Sequence, residues 1–175
     1  MAGSDFRLQT RRLSLRWITL ADAELMLAVW NDPAFIEHVG DRGIRSLQQA
    51  QETLQQGAFE LYAQYGYGPY RVALAADDTG IGICGLFRRE GFDEPDIGYS
   101  ILPAYCGRGY AFEAASAVLE YARTTLGLAR VTAFIAPANA PSIGLAGKLG
   151  LRYERMARLS ADDADVGLYS VVLQS

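Results

Sequence analysis

The residues with the clearest chemical potential form a glycine-flanked turn, residues 101–111 (ILPAYCGRGYA). A predicted strand runs into this turn, and a long amphipathic helix follows it. The first N–H groups of a helix lack intrahelical partners and lie at its positive end, so such a start binds anions, most often phosphate. Glycines at 107 and 109 let the backbone approach a phosphate, and Arg108 adds a positive charge. The pattern predicts a phosphate site, although the same glycines could serve only to shape a strand-to-helix turn.

Other phosphate-binding loops do not match this turn. The P-loop requires a lysine directly after its second glycine, and no lysine follows here. The dinucleotide-binding fingerprint requires a glycine at position 112, which is Phe112 in this chain. Both mismatches disfavour a nucleotide-binding enzyme of either type.

The elements that must position the turn are predicted from hydrophobic periodicity, helix caps and turn residues. Strands are predicted over residues 6–17, 70–76, 81–88, 96–102, 131–136, 153–159 and 166–173. Helices are predicted over residues 23–30, over 47–55 with Ser46 as cap, over 110–126, and from a cap at Asn139 or Ser142 to Lys148. This order predicts an α+β fold, a mixed sheet with helices packed on it, in one domain comprising residues 1–175.

Composition narrows the classes of function. The 175-residue chain has a formal net charge of −4, which disfavours general nucleic-acid binding. Its first residues lack the apolar core of a signal peptide, and no apolar run has membrane-spanning length, so we expect a cytoplasmic protein without a membrane partner. His38 is the only histidine, which excludes a multi-histidine metal site, and no metal is expected.

Residues 105–111, followed by Glu113 and Ala114, resemble the acetyl-CoA pyrophosphate loop of the GNAT acetyltransferases. Within that family, the branch that acetylates N-terminal amines of ribosomal proteins is the most similar. The resemblance extends, in the family's order, to LSLR (13–16), NDP (31–33), DIGYSI (96–101), Asn139, Ser142 and KLGL (148–151). One departure is Cys106, where the general family pattern has Gln or Arg and this branch often has an aromatic residue.

The resemblance implies a fold and a co-substrate. The fold is a mixed, mostly antiparallel sheet of six to seven strands flanked by helices, with a splayed central strand pair that holds the cofactor. The co-substrate is acetyl-CoA. The residues implied to bind it are Ile101, Leu102, Cys106, Gly107, Arg108, Gly109, Tyr110, Ala111, Asn139, Ser142 and Lys148.

The resemblance also implies an N-acetyltransferase in which a primary amine attacks the thioester directly. Cys106 is therefore not expected to be a nucleophile. Asp96 is the first candidate for the base that takes the amine proton, and Glu94 is the second. Many relatives protonate the leaving thiolate with a tyrosine at the position of Ala146, so Ser142 is a candidate for this role. Ser142 could equally serve as a helix cap.

The acceptor is less defined than the donor. The expected acceptor is a protein N-terminus or a small-molecule amine, bound beside residues 31–46 and the turn at 160–165. His38 lies in the first of these segments, where a surface position is its other interpretation. Three aspartates in the second, Asp162, Asp163 and Asp165, would suit a cationic amine. A monomer or homodimer is expected, and a non-catalytic acyl-CoA-binding module of the same fold is the alternative.

Overall fold

The computed structural model describes residues 5–173. The strands are β1 (Arg7–Gln9), β2 (Leu13–Trp17), β3 (Pro69–Leu74), β4 (Gly80–Phe87), β5 (Asp96–Ile101), β6 (Arg130–Ile135), β7 (Arg152–Ala157) and β8 (Val166–Val172). The helices are α1 (Ala23–Trp30), α2 (Pro33–His38), α3 (Leu47–Gln56), α4 (Ala58–Tyr65), α5 (Tyr110–Thr124) and α6 (Ala140–Lys148). Short 3-10 turns lie at Leu20–Asp22 and Pro103–Tyr105.

The strands form one sheet with an opening in its middle. Their order is β1-β2-β3-β4-β5-β6-β8-β7, and all neighbours are antiparallel except β5 and β6, which are parallel. β5 and β6 share only the register pair Asp96–Thr132. The amide of Thr132 donates to the carbonyl of Pro95 over 3.0 Å, which holds the two strands together at this end. Beyond that point they separate, and we call the gap between residues 97–101 and 133–135 the wedge.

The predicted α+β fold with a mixed, mostly antiparallel sheet is confirmed, with eight strands where six to seven were expected. The extra strand arises because the segment predicted as one strand over residues 6–17 is a hairpin. At its turn, Thr10 donates its amide to the carbonyl of Leu13 and accepts the amide of Leu13 on its hydroxyl, each over 2.9 Å. A side chain that bonds a backbone amide three residues further on favours a turn over a continuous strand.

Two helices were not predicted from the sequence. The proline at position 33 was interpreted as the end of a helix, but it also occupies the first turn of α2, where its missing N–H costs nothing. The segment after Gly57 was left without an element, and it forms α4. The predicted cap of α3 is confirmed, since the Ser46 hydroxyl accepts the amide of Gln49 over 3.1 Å.

Helix α5 packs against β2, β4 and β5 and directs its first turn toward the end of β5. The side chains on its sheet-facing stripe are small or branched, and Ala114, Ala115, Val118 and Ala122 are completely buried. Small side chains let the helix lie close to the strands, which places its N-terminus accurately. At 15 residues α5 is the longest described helix, and no helix within residues 5–173 combines the length and apolarity needed to cross a membrane.

Candidate active site

The glycine turn connects β5 to α5 through two residues in the left-handed region. Gly107 has a φ of 75° and Gly109 a φ of 80°, values that other residues rarely adopt. The carbonyl of Gly109 accepts the amide of Glu113 over 3.1 Å, which is the first bond of the helical ladder. The amides of Tyr110 and Ala111 therefore precede the ladder and are free to bind an anion.

Residues of the turn between β1 and β2 hold the glycine turn in place through an ion pair and hydrogen bonds. The Arg12 guanidinium donates to Glu113 Oε2 over 2.7 Å and to the carbonyl of Arg108 over 2.9 Å. The same guanidinium lies 4.4 Å from the ring centre of Tyr110. Thr10 donates its hydroxyl to Glu113 Oε1 over 2.6 Å. Burial would raise the pKa of Glu113, but the bonds from Thr10 and Arg12 outweigh it and lower that pKa.

Two hydroxyl groups, one on β5 and one on α6, are hydrogen-bonded to each other beside the wedge. Asn139 Oδ1 accepts the amide of Ser142 over 3.3 Å, so Asn139, and not Ser142, caps α6. The Ser142 hydroxyl instead donates to the Tyr99 hydroxyl over 3.1 Å, and Tyr99 donates to the carbonyl of Ser142 over 3.0 Å. Burial raises the pKa of Tyr99, which keeps the phenol protonated and able to donate.

A buried carboxylate lies on the opposite face of β5. Asp96 and Tyr99 are three positions apart on the strand, so their side chains point to opposite faces. Asp96 is 1% exposed, its Oδ2 accepts Arg89 Nε over 3.0 Å, and its Oδ1 has no hydrogen-bond partner within residues 5–173. Burial raises the pKa of Asp96, and the charge of Arg89 opposes that shift.

The other predicted site residues are more dispersed. Glu94 pairs with Arg130 over 3.1 Å, and Arg130 also contacts Glu154, so Glu94 belongs to a separate ion-pair cluster at the start of β6. Lys148 lies at the end of α6 and lines a cavity of about 240 Å³ between α5 and α6, together with Phe112 and Ser116.

Leu102 and Cys106 hold the start of the glycine turn in place through hydrogen bonds to β4 and β5. Leu102 donates its amide to the carbonyl of Ile81 over 2.8 Å, which ties the end of β5 to β4. The Cys106 thiol donates to the carbonyl of Ile101 over 3.3 Å. Within residues 5–173 there is no group of three or more His, Cys, Asp or Glu side chains placed to hold a metal ion.

The family model of the Acetyltransferase (GNAT) domain matches residues 12–152, which is most of the chain and includes the glycine turn and the wedge. The chain belongs to the GNAT acetyltransferase family. This GNAT protein is 30% identical over 172 residues to YoaA of Bacillus subtilis (strain 168), an uncharacterized N-acetyltransferase, with 94% of this chain and 96% of YoaA covered. The resemblance inferred from the motifs is thereby confirmed.

Solved structures show the same fold. An acetyltransferase from Agrobacterium tumefaciens has a TM-score of 0.79 at 26% identity, covering 96% of this chain and 95% of its own. RimL, a ribosomal L7/L12 alpha-N-protein acetyltransferase in complex with coenzyme A, has a TM-score of 0.80 at 18% identity, covering 96% and 98%. At that identity RimL shows the fold alone. The GNAT protein is an acyltransferase of the N-acetyltransferase class, and the GNAT fold uses acetyl-CoA.

Two side chains that line this site were not predicted from the sequence. Tyr99 belongs to the DIGYSI motif, but its contact with Ser142 was not predicted. That contact depends on which face of β5 Tyr99 occupies and on how α6 packs beside that face. Arg12 lies about a hundred positions before its partner Glu113, and no local pattern connects them. The roles assigned to individual predicted residues stay predictions.

Proposed function

We propose that this protein transfers the acetyl group of acetyl-CoA to a primary amine by direct attack, without a covalent enzyme intermediate. The observation that carries the proposal is the arrangement along β5. The strand begins at the buried carboxylate of Asp96, presents Tyr99 to the Ser142 hydroxyl in its middle, and ends at the glycine turn. One strand therefore positions the candidate base, the candidate donor to the leaving thiolate and the phosphate-binding turn.

The residues present fit a CoA molecule. The amides of Gly107, Gly109, Tyr110 and Ala111 would hold the pyrophosphate, with Arg108 adding charge. Among residues 5–173, the edge of β5 that faces the wedge has no register partner beyond Asp96, so backbone groups around Ile101 and Leu102 could pair with the amides of the pantetheine arm.

Three further residues would complete the donor side. Asn139 would act by holding the first turn of α6 against the wedge, since its side chain is already engaged as the cap. Lys148 lies beside the cavity between α5 and α6, where a cation would suit a phosphate of the nucleotide end. Cys106 would shape the turn through its bond to Ile101.

The Tyr99–Ser142 pair supplies protons on the side of the wedge formed by α6. Departure of CoA requires that negative charge on sulfur be stabilised or neutralised, and a positioned hydroxyl does both. Because each hydroxyl is bonded to the other residue, the pair would act as one unit, with Ser142 as the catalytic donor and Tyr99 orienting it.

Asp96 is the better of the two candidate bases. Its Oδ1 is buried without a partner, and its raised pKa brings it nearer to neutral pH, which suits a general base. Glu94 is already neutralised by Arg130. Asp96 would accept the proton from the amine, directly or through one water molecule, as the amine attacks the thioester carbonyl.

We expect Asp96→Asn to shift the acid limb of the kcat profile toward higher pH. A base is active only when deprotonated, so the parent loses activity as pH falls through the pKa of Asp96. Without that base the acceptor must arrive neutral, and the limb should follow the pKa of the acceptor amine. Profiles with two acceptors of different pKa test this, with Glu94→Gln as the matched control. An unshifted limb in Asp96→Asn, or an equal shift in Glu94→Gln, would remove Asp96 from the mechanism.

We expect Cys106→Ala to keep most of the activity, because attack on the thioester is direct. The Cys106 thiol is exposed, but partial desolvation raises its pKa and the charge of Asp32 adds to that shift, so the nucleophilic thiolate is disfavoured. Steady-state rates and the intact mass of protein incubated with acetyl-CoA provide the measurement. An acetylated protein mass that disappears in Cys106→Ala, together with loss of turnover, would contradict direct transfer.

An acceptor panel with thiol detection tests the proposed function as a whole. Peptides with free N-termini and small primary amines belong in the panel, since RimL shares the fold and its name assigns it a protein N-terminus. Release of CoA that requires an amine supports the proposal. If the protein binds CoA in calorimetry but no amine releases CoA from acetyl-CoA, it is the binding-module alternative.

A further inference from the structure

One arginine connects β5 and β6 at the closed end of the wedge. Arg89, in the loop between β4 and β5, donates its Nε to Asp96 Oδ2 over 3.0 Å. The same guanidinium lies 5.6 Å from the ring centre of Phe134 on β6. Asp96 is in register with Thr132, and Phe134 follows two positions later, so the side chains of Asp96 and Phe134 occupy the same face of the sheet. Arg89 therefore spans the two strands where they begin to separate.

The loop that carries Arg89 is itself held against β6. The ring of Phe92 packs edge-on against the ring of Phe134, with their centres 4.8 Å apart. The amide of Phe92 donates to the carbonyl of Arg89 over 3.2 Å. The Arg89 side chain is 37% exposed, and an ion pair that is partly shielded from solvent is screened less than one on the open surface. The position of the guanidinium is therefore set by the carboxylate, the Phe134 ring and the loop backbone together.

The state of the Asp96 carboxylate depends on Arg89. Asp96 is 1% exposed, and within residues 5–173 no second cation lies within 4.0 Å of its carboxylate. An unpaired carboxylate is costly to bury, so without Arg89 the neutral acid would be favoured. The terminal torsion of an aspartate has only broad preferences, and the bond to Oδ2 decides which oxygen is engaged. Oδ1, which has no partner among the described residues, is the oxygen left free.

The other groups around Asp96 do not replace Arg89. The register partners of Asp96 are Phe87 on β4 and Thr132 on β6, and neither carries a charge. Glu94, two positions earlier, belongs to a separate ion pair. Burial raises the pKa of Tyr67, in the segment before β3, and the charge of Asp96 adds to that rise. Tyr67 therefore stays a neutral phenol where a carboxyl group titrates.

We infer that Arg89 is a positioning residue for the reaction: it holds Asp96 as a carboxylate with Oδ1 free to accept the proton of the amine. This inference rests on the proposed function. A purely structural ion pair would fasten the β4–β5 loop to the sheet, and its loss would lower stability without changing the pH dependence of turnover. The pH profile therefore separates the two roles.

Arg89→Gln is expected to lower kcat at neutral pH about tenfold or more and to move the acid limb of the kcat profile to higher pH. An adjacent opposite charge lowers the pKa of a carboxyl group by about 1–3 units, so its removal lets Asp96 keep its proton at a pH where the parent carboxyl is ionised. At still higher pH the base ionises again, and kcat should recover toward the parental value. Arg89→Lys restores a positive charge and should reverse part of the shift.

Arg88→Gln is the matched control. Arg88 is the preceding residue and is also half-buried, but its guanidinium lies 5.0 Å from the ring centre of Tyr65 and Arg89 holds the carboxylate. Arg88→Gln should therefore keep the parental acid limb. In the Asp96→Asn background, Arg89→Gln should move the limb no further, because no base is left to position.

NMR of isotope-labelled aspartate carboxyl carbons measures the same effect without turnover. Asp96→Asn identifies the signal of Asp96, whose titration midpoint should lie about 1 pH unit or more higher in Arg89→Gln than in the parent. Thermal unfolding shows whether the variants are folded. If Arg89→Gln does not fold, Arg89→Lys provides the same comparison with a smaller expected shift in the same direction.

An acid limb of Arg89→Gln that coincides with the parental limb would overturn the inference. An equal shift in Arg88→Gln, or a further shift in the Asp96→Asn background, would do the same. These results would leave the proposed function intact, since amines would still release CoA from acetyl-CoA. If no amine releases CoA from the parent, the proposed function fails by itself. The carboxyl titration then decides whether Arg89 holds Asp96 ionised, and equal midpoints in the parent and the variant would overturn that.

Discussion

Replacement of Gly109 by valine is expected to weaken CoA binding about a hundredfold or more. Gly109 has a φ of 80°, which a β-branched residue adopts only under strain. The nearest neighbour of an added Cβ is Arg12 Nη2 at 3.4 Å, so space alone does not forbid the side chain. The positive φ is what disfavours valine, and relief of that backbone strain would reorient the amides of residues 109–111.

The magnitude follows from the bonds that would be lost. Hydrogen bonds to a charged group contribute about 1.5–3 kcal/mol each, and losing two of them corresponds to a hundredfold or more in Kd. Shifts in the turn would also disturb the bond from Arg12 to the carbonyl of Arg108. Calorimetry with CoA measures the effect directly.

Gly127→Val is the matched control. Gly127 follows α5 with a φ of 65°, and no atom of the described residues lies within 4 Å of an added Cβ, so valine there introduces similar strain far from the turn. Both variants should lose similar stability in thermal unfolding, while only Gly109→Val should lose affinity for CoA. Equal Kd values for CoA in Gly109→Val and the parent would show that the pyrophosphate binds elsewhere.

Local signals in the sequence were enough to predict the elements that hold the cofactor turn. The predicted starts of β5 at Asp96 and of α5 at Tyr110 agree with the structure, and α5 ends only two residues before the predicted end. Each of these boundaries depends on residues close in sequence: a proline, a glycine pair and a helical stripe of apolar residues. The opening between β5 and β6 was expected only from the family resemblance, since divergence of two strands has no local signature.

The contacts that could not be predicted join residues distant in sequence. Arg12 and Glu113 are 101 positions apart, and Tyr99 and Ser142 are 43 apart. Ser142 looked equally suited to capping because serine is common at helix starts, and only the position of β5 directs its hydroxyl to Tyr99.

The second large effect is expected at the Tyr99–Ser142 hydroxyl pair. Ser142→Ala should lower kcat about a hundredfold and change KM for acetyl-CoA little. A donor that strengthens its bond only as charge develops on the leaving atom lowers the barrier without tightening the ground state. Removal of one such donor in acyl transfer costs on the order of a hundredfold. Steady-state kinetics with an acceptor identified in the panel supply the measurement.

Ser46→Ala is the control for loss of a helix cap. Ser46 does cap α3, so this variant should lose about 1 kcal/mol of stability with kcat unchanged. Ser142→Ala should show the reverse, a large fall in kcat with little loss of stability, because Asn139 supplies the cap of α6. A destabilised Ser142→Ala with parental kcat would return Ser142 to a structural role.

Tyr99→Phe tests whether the two hydroxyls act as a unit. If Tyr99 orients Ser142, its loss should also lower kcat, and the double variant should be no slower than the slower single variant, since one function cannot be removed twice. Multiplicative losses would instead assign the two hydroxyls separate tasks, such as stabilising the oxyanion and the thiolate. Parental kcat in both single variants would show that the thiolate leaves without help from either hydroxyl of the hydrogen-bonded pair.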